Sequence, residues 1–417
     1  MSVRPDLHQH YVQVCQNLGQ PENPFIAHVL QEADKNDETT WTKGFTLKIA
    51  GNSHLVPVQR VTDDSLQICI CHILHSSFSG LDLRYNILTD AGAKIMATFL
   101  QENCSLRYLN LMFNNIGTSG AELIAKALHG NETLLHMRMT GNKIGEKGGM
   151  FFSSMLQINS TLEELDLGDC DTGVQCLIAI ATALNQNKSV KAINLNRPLL
   201  FSQEEETTVH LALMLKNNSS LVELHLCKHE MKNFGVEQLC EALYENSSLR
   251  YLDLACNKIT SNGVKFLGKL LKWNQTLQIL DLNANRIEDD GAIYLSEALT
   301  LYNRTLQALS VVSNNISGKG LVALSDAMKT NTELSCIYIW GNKFDEATCM
   351  AFSELIQMGR LKPNCTDVEP YEVDGHVYLA ELSHGLQKHY YWTPSYWAVT
   401  KKDANASLAI AAVSEYL

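Results

Sequence analysis

Two short stretches hold residue types that could do chemistry. Cys69-Ile70-Cys71-His72 offers two thiols and an imidazole, the donor types of a structural zinc site. On a helix, positions i and i+2 diverge, and no second Cys/His pair follows at zinc spacing, so the residues read as structural cysteines. Gly141-Asn142-Lys143-Ile144-Gly145-Glu146-Lys147-Gly148-Gly149 invites a phosphate-loop reading. That loop requires Gly directly before its Lys and Ser or Thr after it, but Glu146 and Gly148 stand there. The scattered His and Ser residues form no nucleophile–base pattern. No catalytic, cofactor or metal site is assigned, and the chain reads as a non-enzyme.

Glycosylation sequons begin at Asn103, Asn131, Asn159, Asn187, Asn218, Asn246, Asn274 and Asn303. Their spacing is that of the whole chain. Leu249, Leu252, Leu254, Asn257, Ile259 and Gly263 recur 28 residues later as Leu277, Leu280, Leu282, Asn285, Ile287 and Gly291. Self-similarity at that period is the signature of a solenoid. Leu252 and Leu254 alternate with Asp253, which gives a strand; Val264 to Leu271 then carries apolar residues at helical intervals. Asn257 falls where the chain leaves the strand, where a buried amide can pair backbone groups of the bend. The sequon Asn residues fall between helix and next strand, a place where Asn can end a helix in the left-handed conformation. One strand–turn–helix unit cannot bury its own apolar face, but stacked units can.

The template extends through ten units starting at Phe78, Leu106, Leu134, Leu162, Val190, Leu221, Leu249, Leu277, Leu306 and Leu334. The turn Asn is replaced by Cys170, Pro198 and His229 in the middle units. Pro198 has no N–H to donate and should loosen its turn.

These repeats resemble the ribonuclease-inhibitor-like class of leucine-rich repeats over about residues 45–360. The resemblance implies an α/β solenoid: a horseshoe with a parallel concave β-sheet, convex α-helices and protein binding as its role. The whole chain, including the stretch from Tyr378 to Trp397, is similar to one vertebrate intracellular group within that class. That similarity implies no catalytic motif and a place in cytoplasm and nucleus, at the nucleolus, with the ciliary or flagellar axoneme as a further site. The partners implied are nucleolar proteins or an axonemal complex.

The formal net charge of -12 and pI of about 5.6 argue against direct nucleic-acid binding, which needs a basic footprint. Twelve scattered cysteines, no apolar signal core in residues 1–21 and no membrane-length apolar run point to a reducing compartment and no membrane partner.

Three regions follow. Residues 1–45 form a helical cap, with Leu7–Leu18 and a second helix opened by Pro24; docking a partner is the alternative role. Residues 46–360 hold the array, including a degenerate first strand with Leu47 and Ile49 inward. Residues 361–417 are an aromatic-rich extension in which Leu379, Leu382 and Leu386 have helical spacing. Its rings either cap the last repeat or dock a partner, with Trp392 and Trp397 as anchors.

The candidate contact surface is the outward side of the strands. Carboxylates gather there at Glu164, Asp166, Glu223, Asp253 and Asp281, beside Arg138 and Tyr251. Aromatic anchors stand at Tyr108 and Phe113, then at Tyr338 and Trp340, both expected exposed. The pattern suggests a scaffold for a basic or mixed-charge protein. The alternative is a regulator of an enzyme, a GTPase-activating or inhibitor-type horseshoe.

Overall fold

The alternation Leu-x-Leu makes each strand only about three residues long, because the turn Asn interrupts it at once. The computed structural model describes residues 6–36, 44–52, 59–72, 78–103, 105–200 and 205–382. The chain divides into two compact units.

The first unit holds residues 1–191 and 197–199. Helices α1 (Leu7–Leu18) and α2 (Pro24–Asp34) precede β1 (Phe45–Lys48) and α3 (Asp63–His72). The repeats then run β2 (Phe78–Asp82), α4 (Asp90–Glu102), β3 (Tyr108–Asn110), α5 (Thr118–His129), β4 (His136–Arg138), α6 (Gly145–Leu156), β5 (Glu164–Asp166) and α7 (Val174–Leu184). Strands β1 to β5 pair in parallel in chain order. Asn23 caps α2, its Oδ1 accepting from the N–H of Phe25 (3.0 Å) and Ile26 (3.2 Å), with Pro24 in the first turn. The Asp34 carboxylate accepts from the N–H of Leu7 and His8, both at 3.0 Å, which ties the start of α1 to the end of α2.

The second unit holds residues 192–196 and 200–417. It runs β6 (Ala192–Asn194), α8 (Glu206–Asn217), β7 (Glu223–His225), α9 (Asn233–Leu243), β8 (Tyr251–Asp253), α10 (Ser261–Leu271), β9 (Ile279–Asp281), α11 (Glu288–Leu301), β10 (Ala308–Ser310), α12 (Gly318–Thr330), β11 (Cys336–Tyr338) and α13 (Glu346–Gln357). Strands β6 to β11 also pair in parallel in chain order. In both units the inward leucines are buried, as at Leu109, Leu165, Leu252 and Leu280. Burying one such side chain contributes roughly 1.5–3 kcal/mol.

Two ladders of buried amides join successive repeats. Asn257 Nδ2 donates to the carbonyls of Leu226 and Leu254, both at 2.9 Å, while its Oδ1 accepts from the N–H of His229 (2.9 Å) and Met231 (3.1 Å). The sequon residues make the second ladder. Asn246 Nδ2 donates to Leu215 O (2.8 Å) and Asn218 O (3.0 Å), and its Oδ1 accepts from the N–H of Ser248 and Leu249. The expected left-handed backbone is absent at Asn103 and Asn218, which are extended with φ of -87° and -85°, as is Asn331 at the same place in a later repeat, with φ of -94°. The side chain does the work, turning the chain through an Asx turn. These amides are buried and already bonded, so the sequons are repeat hardware.

The irregular middle keeps most of the first ladder. Cys170 Sγ donates to Met139 O at 3.3 Å, and His229 Nε2 pairs with Leu195 O at 2.8 Å. At Pro198 the main chain compensates one residue on, where Leu199 N–H donates to Thr172 O at 2.7 Å.

At the far end two side chains stand in for a further repeat. Arg360 donates to the carbonyls of Met328 (2.9 Å) and Asn331, which the Asn of a further repeat would reach, and also to that of Leu334 (2.6 Å). The Asp367 carboxylate accepts from the N–H of Ile339 (2.8 Å) and Trp340 (3.0 Å). Burial pushes that carboxyl up to about 6. The helical reading of Leu379 is wrong. Strands β12 (Val368–Val373) and β13 (His376–Glu381) form an antiparallel hairpin. Asp374 and Gly375 turn it with φ of 50° and 81°, the two positive values of a type I′ turn. Leu386 and the helical reading around it, Trp392 and Trp397 lie outside the described residues.

Candidate protein-binding face

The short strands place alternate residues on the side away from the helices, and adjacent strands lie roughly 4.8 Å apart. Long side chains at one register position therefore meet their counterparts on the next strand. The expectation that Tyr338 is exposed is overturned: it is buried, as are Arg138, Glu164, Asp166, Glu223, Tyr251, Asp253 and Asp281. Trp340 and Tyr108 are half-buried, and Phe113 is 37% exposed.

In the first unit the face is a charged network. Arg138 Nε donates to Glu164 Oε1 at 2.6 Å, and His136 Nδ1 lies 3.3 Å from Glu164 Oε2. Burial opposes the charge on Glu164, but Arg138 and His136 outweigh it and hold the carboxyl below its usual range. The Arg138 guanidinium sits 5.9 Å from the centre of the Tyr108 ring. Thr140 Oγ1 donates to Asp166. Farther along, Phe113 stacks on Tyr85 with ring centroids 4.7 Å apart. The backbone at Gly141 has φ of +79°, and a Cβ there would come within 2.4 Å of the Phe113 ring.

In the second unit the face begins charged and turns apolar. His225 bridges two carboxylates, with Nε2 2.7 Å from Glu223 Oε1 and Nδ1 3.1 Å from Asp253 Oδ2. Burial opposes its protonation, yet the two carboxylates raise it to about 9, so it is imidazolium at neutral pH. Tyr251 meets the His225 ring edge-on at 4.8 Å. Tyr251, Ile279, Ala308 and Tyr338 then form one apolar cluster across β8 to β11, with Val312 and Cys336 at its margin. Trp340 lies at the end of this row, edge-on to Phe344 at 5.8 Å.

The recurring acids have a local job. Asp166, Asp253 and Asp281 each accept from the N–H two residues on, at Gly168 (3.0 Å), Ala255 (2.9 Å) and Asn283 (3.0 Å). Asn110 and Asn194 do the same. The Asp/Asn preference of this row is thus an Asx turn at each strand end. His225 and Ile279 also belong to the face, as the outward rows of the repeat expect, in 28-residue register with Asp253 and Tyr251. Cys69 is buried and Cys71 exposed, so the two thiols point to different sides of α3. Among the described residues no group of three or more His, Cys, Asp or Glu is placed to hold a metal ion.

A leucine-rich-repeat family model matches residues 102–125, 159–181, 245–268, 274–296 and 302–325. Leucine-rich repeat-containing protein 34 of Mus musculus is 56% identical over 412 residues, covering 99% of each chain. The chain belongs to the leucine-rich repeat-containing protein 34 family. The Homo sapiens member is 59% identical over 416 residues, spanning 99% of this chain and 89% of that protein. A solved internalin from Listeria monocytogenes aligns with 13% identity over 87% of this chain and 97% of that one, at a TM-score of 0.37. That score adds nothing to the strand and helix order already described.

Proposed function

We propose that this chain is a non-catalytic protein-interaction scaffold whose contact surface is built on the sheet face of the second unit, with the partly exposed Val312, Cys336 and Trp340 at its margin. The observation that carries the reading is the apolar cluster of Tyr251, Ile279, Ala308 and Tyr338 beside the buried acids Glu223, Asp253 and Asp281. An apolar cluster with large aromatic groups and a charged margin is the composition of a protein-binding core. Three acids, Glu223, Asp253 and Asp281, surround the single imidazolium of His225, and that excess of acid favours a partner that brings basic groups alongside apolar ones. An intracellular setting, with nucleolar or axonemal proteins as partners, is part of the same proposal; it draws on family resemblance and on the thiols of Cys170, Cys176 and Cys240 packed in repeat cores.

The test is site-specific photo-crosslinking in cells. A photoreactive residue replaces Val312 or Trp340 at the margin of the face, or Trp273, which is 77% exposed at the end of α10. The scaffold reading expects discrete protein adducts from Val312 and Trp340 and none from Trp273. Adducts from Trp273 alone, or equal adducts from all three, contradict it.

A further inference from the structure

Four free cysteines of the second unit stand as two pairs, and all four are half-buried rather than packed away. In the first pair, Leu226 N–H donates to Asp253 O (2.9 Å) and Lys228 N–H to Ala255 O (3.1 Å), so Cys227 faces Ala255 across one strand spacing. That spacing is roughly 4.8 Å. Cys256 is the next residue, and its thiol is hydrogen-bonded to that of Cys227. In the second pair, the 3-10 turn Pro363–Cys365 packs on β11, and the thiols of Cys336 and Cys365 are hydrogen-bonded to each other. Each pair therefore joins two successive coils of the chain. A disulfide needs Cα separations of about 4.4–6.8 Å, which neighbouring coils supply. Other thiols of the unit differ: Cys240 is buried in its repeat core, and burial pushes it up.

We propose that Cys336–Cys365 and Cys227–Cys256 are dithiol modification sites, each closed to an intrachain disulfide by a hydroperoxide. In both pairs one sulfur is prepared as the nucleophile. The hydrogen bond from Cys365 holds the Cys336 thiol below its usual range against burial, and Ser335 Oγ, 3.8 Å away, adds to it. The hydrogen bond from Cys227 does the same for Cys256 against burial, and the charge of Lys228 adds to it. A half-buried thiolate is the form that peroxide oxidises. The Cys336 thiolate attacks one oxygen of hydrogen peroxide, the O–O bond breaks, and the departing hydroxide takes a proton and leaves as water. Cys336 is then a sulfenic acid. Cys365 is pushed up by its hydrogen bond to Cys336, by burial and by the charge on Cys336. A sulfenic acid is neutral, so the charge that held the Cys365 proton is gone, and Cys365 ionises and attacks the sulfenic sulfur. The S–O bond breaks, the hydroxyl takes up that proton and leaves as a second water, and the S–S bond forms. Two thiols lose two electrons and two protons, and one peroxide becomes two waters. Cys256 and Cys227 follow the same course. The inference goes beyond the scaffold reading and holds whether or not the face binds a partner.

The experiment uses the purified, reduced full chain as a mixture of isotopically light and heavy protein, treated with a small excess of hydrogen peroxide. Remaining thiols are alkylated after denaturation, and tryptic peptides are quantified by mass spectrometry. Same-isotope links Cys336–Cys365 and Cys227–Cys256 are expected, roughly tenfold more abundant than any link or oxide at the buried Cys176 or Cys240. Cys365→Ser and Cys227→Ser remove the second sulfur but keep a hydrogen-bond donor at a half-buried position, and circular dichroism checks that each variant is folded. They should raise dimedone labelling of the sulfenic acid at Cys336 and at Cys256 by roughly fivefold over the parent. Full alkylation of all four thiols, light–heavy links showing a second chain, or unchanged dimedone labelling in both variants would overturn the proposal. If one pair links and the other stays alkylated, the linked pair stands as a site and the other is refuted.

Discussion

The open faces of the two units are built on one strand geometry and solve different problems. In the first, Arg138, Glu164, His136 and Tyr108 satisfy one another across β3, β4 and β5. In the second, Glu223, His225 and Asp253 close a charged triad, but the next three strands present Ile279, Ala308 and Tyr338. A face whose charges pair internally has little left to offer a partner. A face that is apolar on the side away from its helices exposes a hydrophobic liability unless something covers it. The difference lies in single residues at fixed register, so it can be broken one residue at a time.

The largest effect is expected in the first unit. Glu164→Ala leaves Arg138 buried without its carboxylate and should destabilise by about 3–5 kcal/mol in urea unfolding. Replacing both, as Arg138→Met/Glu164→Leu, should recover most of that loss. A single variant with parental stability would show that the network does not hold the face.

In the second unit, pH separates two histidines. The folded-state value of His225 is raised to about 9, against roughly 6.5 when unfolded. Its contribution is therefore complete below about pH 6.5 and is lost as pH rises through about 9, up to roughly 3 kcal/mol. His229 has the opposite sign. Burial lowers it to about 4, so stability it helps preserve at neutral pH is lost as pH falls from 6.5 toward 4. The difference between parent and His225→Gln stability should shrink from pH 6.5 to 9.5; a pH-independent difference would refute the ion triad.

The amide ladder is common to both units. Asn257→Ala abandons five hydrogen bonds to neighbouring backbone and should cost about 2–3 kcal/mol. His229→Asn should stay within about 1 kcal/mol of the parent, because Asn is the ordinary ladder residue. Loss of folding in His229→Asn would mean the histidine has a role beyond the ladder. Smallest of all, Lys143→Ala removes an exposed 2.9 Å pair with Asp171 and should shift stability by under about 0.5 kcal/mol.

Much of the fold was legible because its period leaves little choice. Leu252, Leu254, Asn257 and Gly263 name strand, turn and helix, and the copies at Leu280, Leu282, Asn285 and Gly291 repeat them. The hairpin was equally legible and was missed: Asp374-Gly375 between alternating Tyr371, Val373, Val377 and Leu379 is a strong turn signal, obscured by leucine spacing that suggested a helix. The sequon residues misled because the preference for left-handed Asn is a backbone property, whereas here the side-chain amide does the turning. The contact face was legible as a row but not as an environment. Nothing in the spacing of Asp253 says that it pairs with His225, and nothing in that of Tyr338 says that it is buried. Such facts depend on which side chains meet across strands 28 residues apart.

Hydroxyl-radical footprinting of the intact purified chain tests the contrast between the two faces most directly. Tyr251 and Tyr338 should react at least tenfold more slowly than Tyr371, which is 48% exposed, with Tyr108 between them. If Tyr251 and Tyr338 react as fast as Tyr371, these rings are not buried in the second face and the contrast between the two faces is wrong.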